Sequence, residues 1–149
     1  MRQQHVAEWM STPPLIVAPS TSLIAAQRLM QRQHVRRLPV VADGRLIGII
    51  TWGDLRAAQP SAATTLSVYE ARALLDKVTV AACMTHDPLT VAPDAPVLEA
   101  AQLILDHKVS GLPVVANGGV VGVITESDLF RLLLSEASAA DKRNASAAV

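Results

Sequence analysis

The sequence predicts an α+β fold made of two β-α-β-β-α repeats. Three observations predict it. An offset of 74 residues relates the two halves without a gap, from Val6/Val80 to Leu55/Leu129. Within each half, short β-rich runs alternate with segments whose apolar residues recur at helical spacing. Asp43-Gly44 and Asn117-Gly118 occupy equivalent places, and both dipeptides favour the positive φ angles of a tight hairpin turn. Along the offset fall Pro14/Pro88, Val17/Val91, Pro19/Pro93, Ala26/Ala100, Leu29/Leu103 and Val35/Val109, then Leu38–Ala42 against Leu112–Ala116. Gly44/Gly118, Gly48/Gly122, Thr51/Thr125 and Asp54/Asp128 complete the series. Matches this dense define a tandem duplication.

The elements follow in order. Leu15–Val17 and Leu89–Val91, each closed by Ala-Pro, predict brief strands. Asp94 reads as an N-cap, with Pro96 in the first helical turn, where proline is tolerated. Val97, Ala100, Ala101, Ile104 and Leu105 recur at i, i+3, i+4, i+7, i+8, one face of an amphipathic helix, and Leu23, Ala26 and Met30 repeat that face. Two strands come next, Leu38–Ala42 and Arg45–Thr51 in the first repeat, and a helix starts at about Trp52 and Glu126. The repeats are assigned to residues 6–56 and 80–134, with 57–79 between them. Gln59–Thr65 reads as linker, and Ser67-Val68-Tyr69-Glu70 has capping-box spacing and opens a helix through about Asp76. The Ala/Ser-rich tail, 135–149, reads as a frayed helix end or a disordered terminus.

Composition narrows the function. With 149 residues, 13 Lys+Arg against 13 Asp+Glu, and 50% hydrophobic residues, the chain lacks the basic footprint of a nucleic-acid binder, and nucleic acid is an unlikely partner. No apolar run approaches the roughly 18 residues needed to span a bilayer, and Met1–His5 lacks the apolar stretch of a secretory signal. The expected setting is cytoplasmic. Cys83 alone supports neither a disulfide framework nor a cysteine-rich zinc site, and it reads as buried and inert. His5, His34, His86 and His107 show no HxH or HExxH spacing, and no GxSxG, P-loop or GxGxxG is present, so neither a metal site nor an enzyme is expected.

Two constellations carry chemistry. Thr51-x-x-Asp54 and Thr125-x-x-Asp128 lie where a strand ends and a helix begins, where backbone N–H groups favour an anionic ligand. The carboxylate can accept hydrogen bonds from both hydroxyls of a ribose, and the threonine hydroxyl can donate to a phosphate or ribose oxygen. Thr at the N-cap with Asp at N3 also caps a helix unaided, and one arrangement can serve both purposes. The second constellation is basic: Arg28, Arg32, His34, Arg36 and Arg37 precede Leu38-Pro39, whereas the second repeat has Ser110-Gly111 in place of Arg36-Arg37. Arg28 and Arg32 fit a solvated helix face, while Arg36 and Arg37, at the entry to the central strand, can grip phosphate oxygens bidentately. Trp9, Trp52, Tyr69 and Phe130 are the whole aromatic set, so base recognition would rest on aliphatic walls and backbone hydrogen bonds. Trp52 directly follows Thr51 and could line a cleft, but it is expected to pack against the neighbouring repeat or a dimer partner.

The Met-Ser/Thr near each start, Ala-Pro, Leu-Pro-Val-Val, the turn glycine and Gly-hydrophobic-hydrophobic-Thr-x-x-Asp-Leu, all occurring twice, resemble the cystathionine β-synthase (CBS) domain. Two copies in tandem resemble a CBS pair, or Bateman module, of the stand-alone bacterial type. The resemblance covers Val6 to about Leu134. It implies two repeats packed through their sheets about a pseudo-twofold axis, with two clefts that bind adenine nucleotides or related adenosyl compounds. It also implies a disc-like homodimer that regulates a partner protein, with the nucleotide as a regulatory ligand and no obligatory cofactor. Carried over position by position, one ligand set comprises Thr125, Asp128, Arg36, Arg37, Pro39, Leu15 and Ile16. This set is expected to prefer phosphorylated ligands such as AMP, ADP or ATP. The other comprises Thr51, Asp54, Leu89, Thr90, Ser110, Gly111 and Pro113, and would take an uncharged adenosine moiety, bind weakly or stay empty. A ligand-free interaction module and a binder of S-adenosylmethionine, NAD or a cyclic dinucleotide are the alternatives.

Overall fold

The computed structural model describes residues 2–60 and 65–148. Part of the expected linker, residues 61–64, lies outside them. The chain divides into two compact units. The first-repeat unit comprises Leu15–Pro88 with Gly118–Val120, and the second-repeat unit comprises Met1–Pro14, Leu89–Asn117 and Val121–Val149. The leading segment of each repeat therefore does not stay with its own strands. Val6, in the short helix α1 (Val6–Trp9), is buried among Val91, Ala100, Ile104, Leu112 and Ile124. Val80, in α5 (Val80–Cys83), is buried among Leu23, Met30, Leu38 and Ile50. The backbone repeats the exchange bond for bond. The Val6 N–H donates to Ala95 O at 2.9 Å and Ala7 N–H to Pro93 O at 2.9 Å. Val80 N–H donates to Thr21 O at 2.7 Å and Ala81 N–H to Pro19 O at 3.0 Å.

In the first-repeat unit, α2 (Leu23–Gln33) starts on Ser22, whose hydroxyl accepts from Ala25 N–H at 3.1 Å. It ends where His34 adopts φ 54°. Leu23, Ala26 and Met30 are buried, as the spacing requires. Strands β1 (Arg37–Ala42) and β2 (Arg45–Thr51) pair antiparallel, with Arg37 opposite Thr51, and β3 (Thr85–His86) adds to β2. The turn between β1 and β2 holds Asp43 at φ 51° and Gly44 at φ 75°, the positive angles expected of that dipeptide. The helix α3 (Trp52–Ala58) follows β2 directly, and α4 (Val68–Lys77) packs along α2. The Ser67 hydroxyl accepts from Glu70 N–H, and Glu70 returns the bond to Ser67 N–H.

The second-repeat unit repeats the plan with α6 (Val97–His107), β4 (Gly111–Ala116), β5 (Gly119–Thr125) and α7 (Glu126–Ala147). Four expectations are corrected here. Pro96, not Asp94, is the residue before α6, and no side chain caps it. Leu105 is 72% exposed: the buried stripe of α6 is Val97, Ala100 and Ile104 only, because the helix meets one sheet face. The tail is helical through Ala147, since alanine-rich sequence extends a helix that α7 has already nucleated. The brief strands before each α-helix shrink to single parallel bridges, Val17 with Val40 and Val91 with Val114, because the Ala-Pro that follows cannot extend a ladder. At the N-terminus, Glu8 accepts from His5 N–H and pairs with Arg2. The backbone hydrogen bond from His5, joined by Arg2, holds the Glu8 carboxyl below its usual range. Among the described residues, no helix is long and apolar enough to cross a membrane.

Candidate functional site

Each unit gathers its own share of the expected ligand residues at one end of its central strands. In the first-repeat unit, Arg36 O accepts the Trp52 N–H at 2.8 Å, and Arg37 opens β1 opposite Thr51. Pro39 is buried, and its carbonyl accepts Val17 N–H at 3.0 Å, which draws the Leu15–Ile16 segment alongside β1. Ile16 is 47% exposed and Arg36 is exposed, whereas Leu15 packs on the core. Thr51 N–H donates to Asp54 Oδ2 at 2.9 Å, and Asp54 N–H returns to Thr51 Oγ1 at 3.2 Å. This is a complete capping box, and Asp54 stays half-buried.

In the second-repeat unit, Ser110 O accepts Glu126 N–H at 3.1 Å and Pro113 O accepts Val91 N–H at 3.1 Å. Gly111 and Pro113 are buried, while Leu89, Thr90 and Ser110 are exposed. The threonine–aspartate box differs in one respect. Asp128 Oδ2 accepts both Thr125 N–H at 2.8 Å and Thr125 Oγ1–H at 3.2 Å, and Oδ1 pairs with the Arg131 guanidinium. Asp128 is 2% exposed, the single buried charged residue among those described. Both of its oxygens are engaged, so a ligand hydroxyl at Asp128 competes with Thr125 and Arg131 for the remaining lone pairs. The units thus bring together Leu15, Ile16, Arg36, Arg37, Pro39, Thr51 and Asp54 in one, and Leu89, Thr90, Ser110, Gly111, Pro113, Thr125 and Asp128 in the other.

A groove of about 640 Å³ lies within the first-repeat unit, lined by Met30, Gln31, His34, Val35, Arg36, Trp52 and Arg56. Trp52 packs on this unit's own core and lines the groove. Of these residues Arg36 alone was in an expected ligand set. The available signal was the Trp52-x-x-x-Arg56 spacing, which puts both residues on one side of α3. Cys83, expected to be buried, is half-buried against the same core. No group of three His, Cys, Asp or Glu among the described residues is placed to hold a metal.

Two like units, each closing a strand pair with a Thr-x-x-Asp box, define a duplicated α+β class of fold. The CBS domain family matches residues 6–61 and 80–135, and the chain belongs to it as a tandem CBS pair. It is 36% identical over 131 residues to a CBS domain-containing protein of Dictyostelium discoideum, covering 87% of this chain and 90% of that protein. It is 31% identical over 117 residues to the inosine-5'-monophosphate dehydrogenase of Korarchaeum cryptofilum, over 78% of this chain but 21% of the enzyme. Among solved structures, the CBS domain pair of protein MJ0100 in complex with 5'-methylthioadenosine and S-adenosyl-L-methionine matches with TM-score 0.75 and 28% identity, over 91% of this chain and 99% of that one. CBSX2, an Arabidopsis thaliana protein, in complex with AMP, matches with TM-score 0.74 and 30% identity, over 88% and 97%.

Proposed function

We propose that the chain is a non-enzymatic regulatory module that binds an adenine nucleotide and passes the event to a partner protein by a change in conformation or assembly. The observation that carries this reading is the pair of Thr-x-x-Asp boxes at helix starts, with arginines entering the central strand in one repeat and Ser110-Gly111 in the other. That AMP, methylthioadenosine and S-adenosylmethionine are held by similar CBS pairs supports an adenosyl ligand here. Thr125, Asp128, Arg36, Arg37, Pro39, Leu15 and Ile16 form the phosphate-preferring set of the reading. Thr51, Asp54, Leu89, Thr90, Ser110, Gly111 and Pro113 form the second set. The working compartment in this reading is the cytoplasm.

Calorimetry and thermal shift with AMP, ADP, ATP, adenosine and S-adenosylmethionine test it. A ligand at 100 times its Kd adds about 2.7 kcal/mol of stability. Asp128→Ala should abolish the nucleotide binding that belongs to the Thr125–Asp128 set, and Asp54→Ala should leave it. Arg131→Ala should tighten it, because the ligand hydroxyl no longer competes with a guanidinium for Asp128 Oδ1. No stabilisation by any of the five, or loss in Asp54→Ala with retention in Asp128→Ala, overturns the assignment.

A second reading, self-association without ligand, has its own observation. Leu98 and Leu105 on α6 and Phe130, Leu133 and Leu134 on α7 are 61–82% exposed. Their counterparts at the 74-residue offset are Ile24, Gln31, Arg56, Gln59 and Pro60. Of these only Ile24 is a large aliphatic, and it is 6% exposed on α2, the helix that α4 packs along. The two readings are compatible in one homodimeric sensor.

A further inference from the structure

The groove in the first-repeat unit has a floor and a rim of different origin. Met30 and Val35 form its apolar part, and their counterparts at the 74-residue offset, Ile104 and Val109, are also apolar, as the shared fold requires. The rim is not shared. Gln31, Arg36, Trp52 and Arg56 correspond to Leu105, Ser110, Glu126 and Phe130. One repeat has therefore acquired two guanidinium groups and an indole where the other has a hydroxyl, a carboxylate and a phenyl ring. No Asp or Glu among the described residues lines the groove. Among the described residues, neither Arg36 nor Arg56 is in an ion pair, and both are exposed.

The surroundings push in the same direction. The first-repeat unit carries eight Lys and Arg against five Asp and Glu, a net +3, and the second-repeat unit carries the reverse, five against eight. The chain's zero net charge conceals this separation. A concave surface in a field of one sign gathers ions of the other. A volume of about 640 Å³ falls within the range of roughly 300–1,000 Å³ that small-ligand sites occupy. Two arginines suit a phosphate, which they bind as charge-assisted forks, and a half-buried indole in the lining suits a flat heterocycle.

We propose that this groove is a separate binding site for a nucleoside phosphate, with Arg36 and Arg56 on the phosphate and Trp52 against the base. It stands apart from the Thr-x-x-Asp sets and shares with them Arg36 alone. Of the groove residues, Arg56 and Trp52 belong to this site only. AMP is the probe, adenosine the control for the phosphate, and the full chain is used throughout. AMP titration is followed by calorimetry and by tryptophan fluorescence in Trp9→Phe, so that Trp52 is the reporter. The expected results are AMP binding that survives in Asp54→Ala/Asp128→Ala, quenches Trp52, weakens at least tenfold in Arg56→Ala and persists in Arg56→Lys at reduced affinity. Adenosine should bind more weakly than AMP and be insensitive to Arg56→Ala. Loss of all AMP binding in Asp54→Ala/Asp128→Ala overturns the proposal while leaving the sensor reading intact. Binding lost in Arg56→Ala but untouched by Asp128→Ala upholds the groove and overturns that reading. Unchanged circular dichroism and melting in Arg56→Ala separate a binding effect from misfolding.

Discussion

At the scale of single residues, two glycines fix how closely the exchanged segments approach the strands. A Cβ at Gly122 would lie 2.5 Å from Met10 Sδ and 2.9 Å from Ser11 O, and one at Gly48 would lie 2.6 Å from Met84 Sδ and 2.8 Å from Thr85 O. A thioether can swing aside, but a backbone carbonyl in a bridge to the same strand cannot. Gly122→Ala is therefore expected to destabilise by about 1–3 kcal/mol, the usual cost of overpacking. Gly53→Ala should be neutral or stabilising by up to about 1 kcal/mol, because its Cβ meets only Thr51 Oγ1 at an ordinary 3.6 Å and the site is helical. Urea midpoints decide, and equal midpoints for the two variants would refute the close-approach account. Both glycines were visible in the sequence as matched positions, but nothing in a matched pair says what lies over it. The same limit applies to Asp128: its Thr-x-x-Asp spacing was legible, whereas its burial and its Arg131 partner came from the packing of α7.

Elements were legible to the degree that local pattern determines them. Helix starts at Trp52, Glu126 and Val68 follow from Thr or Ser with an acid three residues on. The exchange of α1 and α5 between units was not legible, because the duplication makes both cores equally hospitable. Val6 and Val80 are the same residue entering equivalent pockets, and an internal offset cannot say which copy each one enters. Leu105 misled for a related reason. Its spacing fits the α6 stripe, yet a face is buried only where something covers it. The covering element of the first repeat, α4, has no fully buried residue of its own, so its capping box should dominate its local stability. Ser67→Ala is expected to cost about 1 kcal/mol within α4. Amide exchange would speed in Val68–Lys77 about fivefold while the strands stay protected, since local opening need not involve the core. Uniform acceleration across the unit would instead make α4 part of the global fold.

For the whole molecule, the exposed apolar side chains of α6 and α7 predict an assembly. Fully burying one such side chain yields about 1.5–3 kcal/mol. An isologous contact uses each of the five twice, once per protomer, so even with partial burial the gain exceeds ten kcal/mol by rough bookkeeping. Association costs about 4–15 kcal/mol before any favourable contact. A gain of that size falls within the range of the cost, so the expected twofold dimer, joined through two second-repeat units with α7 supplying the longer part of the face, is concentration-dependent. Phe130→Asp/Leu134→Asp should then sediment as a monomer at a concentration where the native chain is dimeric. Tyr69→Asp, on an α4 side chain that is 86% exposed, should not change the mass. Salt distinguishes the pairing. Two units of net −3 repel, and raising ionic strength screens that repulsion, so the dimer should tighten with salt. A dimer that loosens with salt would mean that the −3 unit of one protomer meets the +3 unit of its partner. The α6–α7 face would then have to lie against the polar counterpart around Gln31 and Arg56, where an anion in the groove would compete with it.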